Sequence, residues 1–265
     1  MPDLSSTIAG KIVEGGIIPL VYKDLAQPGV RQVGKALSTV LQLGNTLLLP
    51  IRLANETARK FEERKFSEIA DRFSSIPEQD TIDVSPEIGV PIMENLSRTE
   101  DISLRSMYIE LLAKAATNST ASQAHPSFTQ VISSLSPDEA IFLKHLSTAS
   151  RHPIVDISLK LGANGGRNVI ADLITLPPQG LAFRSNTPLY VSNLAGLGIL
   201  EIIRDTYLSA PGRYDELISY AETLHDFSNV TSTDEGEWTV HYSKHVLSVL
   251  PYGKAFMNAC LCDVE

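Results

Sequence analysis

Six histidines, two cysteines and several paired carboxylates are the side chains from which this chain could build chemistry. Among His125, His145, His152, His225, His241 and His245, only His241 and His245 have the spacing of a metal pair. That spacing sets two imidazoles on one side at ligating distance only on a helix. Trp238, Val240 and Tyr242 alternate as a strand does, so the two histidines read as ordinary surface or core residues even with Cys260 or Cys262 nearby. The cysteines are one residue apart; in a strand their thiols point to opposite faces, which disfavours a strain-free disulfide.

Two other patterns invite a chemical reading and do not sustain one. The stretch KLGANGGRN, with Gly162, Gly165, Gly166 and Arg167, lacks the Gly-Lys-Ser/Thr of a phosphate loop and the Gly-x-Gly-x-x-Gly of a dinucleotide turn, and reads as a loop. No Gly-x-Ser-x-Gly elbow occurs. The carboxylate pairs Glu62/Glu63, Asp138/Glu139, Asp215/Glu216 and Asp234/Glu235 fall at helix caps or in charged runs, where solvation is the default. Asp101 and Arg105 sit at the spacing of an ordinary surface pair on a helix. The sequence therefore predicts no catalytic, cofactor-binding or metal-binding residue, no cofactor, and a protein that is not an enzyme.

Composition narrows the partners. A 265-residue chain buries roughly 70–75% of its unfolded surface without needing a disulfide or metal staple. A formal net charge of -9 argues against nucleic acid as a partner, because phosphate neutralisation needs clustered Lys and Arg. The opening residues lack a basic segment followed by an unbroken apolar run, and a cytoplasmic protein is expected. Residues 36–51 carry no charge, yet the stretch is shorter than the ~20 residues of a spanning helix. Gln42, Asn45 and Pro50 favour a helix buried between neighbours.

The elements that would position these side chains are mostly helical. Residues 8–20 mix Gly10, Gly15 and Gly16 with Ile and Val and encode a helix weakly. Pro28 suits a first helical position and opens an apolar face through Val33, Leu37 and Val40. Residues 51–73 read as a solvated mixed-charge helix with a thin stripe of Leu53, Phe61, Phe66, Ile69 and Phe73. Pro77, Pro86 and Pro91 make residues 77–96 an extended connector. Ser97 and Glu100 stand at capping-box spacing before a helix carrying Leu104, Met107, Tyr108, Leu111, Leu112 and Ala115. After a His-Pro-Ser-Phe link come a short helix with Phe128, Val131 and Ile132, and a third helix capped by Ser136, Pro137 and Glu139.

The last third changes character. Its sequence predicts a helix closed by Gly198, a strand over 199–202, a later strand through Trp238 and a closing helix after Pro251. That order of parts is the order in a winged-helix module. The candidate recognition helix, 185–197, offers only Arg184, Asn186 and Asn193 in an acidic surrounding, so protein contact is favoured over DNA. The expected fold is mainly α: an N-terminal helical region over 1–76, the connector over 77–96, a helical middle module over 97–135, and a winged-helix-like module with a small β-sheet over 136–265.

Four pieces of the chain carry a family pattern: VYKDLAQPGVRQVGKAL, the proline-bounded connector, LRSMYIELLAKA and HPSFTQVISSLSPDEA. Together they resemble the abortive-infection alpha family, a bacterial phage-defence group without an assigned mechanism. The resemblance spans about 22–146. It implies a role in stopping phage propagation at the cost of the infected cell and carries over Asp24, Pro28, Arg105, His125, Pro126 and Phe128 as positions of the pattern. The expectation is a defence protein acting through a protein partner or self-association. Its rivals are a membrane-perturbing effector using residues 8–53, associated with the membrane on activation, and a winged-helix DNA-binding regulator.

Overall fold

The computed structural model describes residues 28–37, 56–162, 167–224, 232–233 and 236–261. Asp24, His225, Cys262, residues 8–20 and most of the uncharged 36–51 stretch lie outside them. The chain divides into two compact units, one formed by Met1–Leu135 with Asn258–Glu265, the other by Ser136–Met257.

In the first unit the described helices are α1 (Pro28–Ala36), α2 (Glu56–Phe73), α3 (Pro86–Arg98), α4 (Ile102–Ala115) and α5 (Ser127–Ser133). Pro28 opens α1, as its fixed φ suits a first helical position. The apolar face of α1 points inward: Val33, Ala36 and Leu37 are buried, and the Gln32 amide donates to the Ile76 carbonyl. The centre of the unit is α4. It is buried nearly all round, from Arg105 to Ala115, which is how a helix surrounded by other helices is built.

The structure corrects two expectations here. Residues 77–96 are not simply extended, because 86–98 form α3 with Pro86 in the first turn, where a missing N–H costs nothing. Ser97 lies inside α3, with its hydroxyl on the Glu94 carbonyl. The cap of α4 is Asp101, whose carboxylate accepts from the Leu104 amide at 3.0 Å.

The second unit corrects the fold class. Its elements are α6 (Pro137–Leu146), β1 (Arg151–Leu161), β2 (Arg167–Ile174), α7 (Thr187–Gly196), β3 (Leu200–Ile203), α8 (Asp215–Leu224), β4 (Ser232–Thr233), β5 (Gly236–Val249) and α9 (Pro251–Cys260), the last three residues of α9 belonging to the first unit. The strands form an antiparallel sheet in the order β2-β1-β5-β3, with short β4 paired onto β5. β1 pairs with β5 along its whole length, from Arg151 opposite Ser248 to Leu161 opposite Trp238. The protein is thus mixed α/β, neither mainly α nor built on a winged helix. The strands that overturn the winged-helix reading, β1 and β2, flank the Gly-rich stretch and carry Pro153 and Asp156, residue types poor in strands.

Several local signals act as the sequence predicts. Ser136 and Glu139 form a capping box at the start of α6. α7 ends through Gly198, φ +74°, with the Ile199 amide on the Leu194 carbonyl. One face of the sheet packs Val155, Ile157 and Ile174 against Tyr214, Leu217 and Ala221, the last two from α8. The first turn of α9 lies so close to the chain before β3 that a Cβ on Gly253 would stand 2.3 Å from the Ile199 carbonyl oxygen.

Candidate functional site

Of the six family-pattern positions, three meet in one helix start. His125 is exposed, and its Nδ1 accepts from the Ser127 amide at 3.2 Å, capping α5 after Pro126. Its ring lies 5.7 Å from that of Phe128, which is buried. Pro28 begins α1, and Asp24 lies outside the described residues. Arg105 does something the sequence hides. It is buried and forms a two-pronged pair with Glu68 of α2, at 2.6 and 2.8 Å, while a third donor reaches the Glu100 carbonyl at 2.7 Å.

A second pair runs the other way between the same helices. Arg72 of α2 grips Glu110 of α4 at 2.6 and 2.8 Å. Lys65 is also buried and donates to the carbonyls of Leu96 and Ser97 at 2.6 and 2.9 Å, closing the C-terminus of α3. Three of the α2 charges, Lys65, Glu68 and Arg72, therefore dock the helix, while Arg64 and Asp71 stay exposed. Asp101 and Arg105 are not a pair of their own. Cys260 is a buried free thiol, pushed well up by burial and then by the Glu110 charge.

In the second unit, polar side chains gather at two places. The first is built on the α6 cap. Asp138 is buried and its carboxylate accepts from the amides of Ala182 and Phe183 and from the Tyr190 hydroxyl, at 2.8, 2.8 and 2.7 Å. Burial works to raise its pKa, but the bonds from Tyr190, Ala182 and Phe183 together outweigh it and hold the carboxyl below its usual range. Burial, and then Asp138, push the Tyr190 hydroxyl up to about 12. Glu139 adds a bond from the Asn193 amide at 2.7 Å.

This clamp holds Phe183 by its backbone on both sides, since the Phe183 carbonyl also accepts from Tyr190. The Phe183 side chain is nonetheless 65% exposed, and Leu189 on α7 is 62% exposed. Exposed large apolar groups on an ordered backbone are the raw material of a contact surface. The solvent-facing positions of α7 are Leu189, Ser192 and Gly196, with no cation among them.

The second cluster crosses three strands. Ile154 of β1 pairs with His245 of β5, and Ile203 of β3 pairs with Val246. Alternation then sets Asp156, His245 and Arg204, the residue after β3, on one face. The Asp156 carboxylate accepts from His245 Nε2 at 3.2 Å, from the Arg204 guanidinium and from the Leu173 amide at 3.0 Å. His245 Nδ1 accepts from the Asp205 amide at 2.9 Å. An amide can only donate, so Nδ1 is unprotonated and the ring is the neutral Nε2–H tautomer.

An Asp–His pair suggests a general base, but both nitrogens of this ring are occupied and neither is open to a substrate. The node holds backbone instead. Among the described residues, the two non-glycine residues with positive φ are Leu173, at 55°, and Asp205, at 54°, and each gives its amide to the node. At Leu173 the β1–β2 register jumps, from Val155 opposite Ile174 to Ile157 opposite Ala171. Asp156 supplies the bond the bulge removes from the ladder.

His241 lies on β5 with His245, and two residues four apart on a strand are roughly 13 Å apart, which no shared ion spans. Among the described residues no group of three His, Cys, Asp or Glu is placed to hold a metal ion. Among them also, no helix is long and apolar enough to cross a membrane.

Fold and clusters define a two-unit α/β protein in which buried ionic groups fasten helices and strained turns. The chain belongs to the abortive infection alpha family, whose sequence profile matches residues 57–260. The match takes in the last third as far as Cys260, as well as the connector and the two middle pieces, and leaves out Asp24 and Pro28. No curated protein and no solved structure matches the chain.

Proposed function

We propose that this abortive-infection protein serves phage defence by contact with a protein partner, without chemistry of its own. The observation that supports the reading is the exposure of Phe183 and Leu189, two large apolar side chains in solvent, the first on a backbone fixed by the buried Asp138–Tyr190 clamp and the second on α7 beside Tyr190. Fixing an apolar anchor before binding lowers the entropy cost of association. Among the described residues, the Asp156–His245 pair, which resembles a general base, holds backbone amides.

The test is a plaque assay with Phe183→Ala/Leu189→Ala in the full chain. Both side chains are mostly exposed, so folding stability should change by no more than about 0.5 kcal/mol each, while protection against phage should fall. Undiminished protection would refute the contact surface. A nucleotide- or nucleic-acid-cleaving activity in the purified protein, lost on substitution of Asp156 or His245, would refute the non-enzymatic reading.

A further inference from the structure

The segment following β3 is tied down in a manner that its own sequence does not require. Residues 204–213 are exposed except for the half-buried Ile203 before them and Leu208 within them. The first half of the segment, residues 204–208, is held by described bonds to side chains: Arg204 to Asp156, the Asp205 amide to His245 Nδ1, and the Leu208 amide to the Tyr214 hydroxyl at 3.1 Å. Tyr214 in turn donates to the His245 carbonyl at 2.8 Å. The held conformation includes left-handed backbone at Asp205, an arrangement that persists only where its surroundings enforce it. It also seats Leu208 against the cluster of Val155, Ile157, Leu217 and Ala221.

We propose that Asp156, His245 and Arg204 form a proton-operated latch, and that residues 204–213 are a strap which the latch releases when His245 takes a second proton. The added proton sits on Nδ1, which then faces the Asp205 amide donor to donor, and that hydrogen bond is lost. The same proton puts a second cation on Asp156 Oδ2 beside Arg204. The Arg204 side chain is half exposed and exchanges its place on Asp156 for water. Both anchors at the start of the strap therefore weaken together, and the strain at Asp205 favours opening.

The charged groups on the ring's face are Asp156 from β1, which accepts from Nε2, and Arg204, which shares that carboxylate. Lys244, next along β5, lies 5.3 Å over the Tyr214 ring and pairs with Val155 on the other face. Tyr214, before α8, accepts from the Leu208 amide and donates to the His245 backbone carbonyl, a bond that does not involve the ring nitrogens. The latch is independent of the contact surface, and its failure would leave that reading untouched.

Amide hydrogen exchange of the full chain, corrected for the intrinsic rate at each pH, tests it between pH 8 and 5, the interval in which imidazoles change charge. In the native protein the protection of the Asp205 and Leu208 amides should fall about tenfold or more toward pH 5, while the β1–β5 ladder stays protected. His245→Asn keeps an acceptor near the Nδ1 position without a proton to gain, and should hold the strap at every pH. His245→Phe should leave it open at every pH. Protection that is flat with pH in the native chain, or that falls equally in His245→Asn, overturns the proposal. Native-like protection in His245→Phe does so as well; if that variant unfolds, the first two comparisons decide.

Discussion

The two Arg–carboxylate pairs between α2 and α4 make a prediction that runs against the habit of treating both halves of an ion pair as equal. Arg105 is 2% exposed, whereas the Glu68 side chain is 33% exposed and also lies 4.0 Å from Arg64. Glu68→Ala strands a guanidinium away from water. Its only remaining described partner is the Glu100 carbonyl, and orphaning a buried charge costs about 3–5 kcal/mol. Arg105→Met removes the buried charge itself, fills much of its volume, and leaves Glu68 to water and Arg64. Its cost should be about 1–2 kcal/mol, mostly the unmet Glu100 carbonyl. With a slope near 2 kcal/mol per molar urea, the midpoint should fall by about 2 M for Glu68→Ala and by less than about 1 M for Arg105→Met. The probe must be helical dichroism, because the single tryptophan, Trp238, lies on β5 in the other unit. Equal losses, or a larger loss for Arg105→Met, would refute the argument that burial of the guanidinium sets the energy.

Two further outcomes follow from the second unit and can be read by Trp238 fluorescence. Gly253→Ala places a methyl 2.3 Å from the backbone oxygen of Ile199, which has no side chain to swing aside; unfolding should become easier by about 1–3 kcal/mol, and an unchanged midpoint would show that α9 shifts freely. Burial, and then the neighbouring His152, lower the pKa of His145 below its ordinary 6.5. The unfolded chain therefore binds this proton more readily, so the contribution to stability is complete above about pH 6.5 and is lost as pH falls toward the folded value. His145→Phe should flatten that part of the stability-versus-pH curve, and an identical slope in the variant would contradict the assignment.

Legibility from sequence followed the range of the forces involved. Capping at Ser136 and Glu139, the Gly198 terminus and the closing helix after Pro251 were readable because each depends on residues within one turn. The β1–β2 hairpin was not. Asp156 interrupts its apolar pattern, and the reason an aspartate belongs there is supplied by Leu173, Arg204 and His245, 17, 48 and 89 residues away. Missing that hairpin turned a four-strand sheet into an expected winged helix. The charge-rich α2 has the sequence of a solvated helix for a similar reason: Lys65, Glu68 and Arg72 find their partners 31 to 38 residues further along.

The family, too, was within reach of the sequence, since recurring residue patterns survive without knowledge of their contacts, and the matched span of 57–260 carries the resemblance beyond the middle helices into the sheet. By itself the sequence determined the local helices and their stops, the acidic balance and the family. Tertiary structure alone decided which carboxylates and cations are buried, that Arg105 meets Glu68 and not Asp101, and that the Asp156–His245 pair pins strained backbone. The physical reason is that a charge or a left-handed turn costs free energy wherever it occurs, and only the folded chain brings the distant group that offsets the cost.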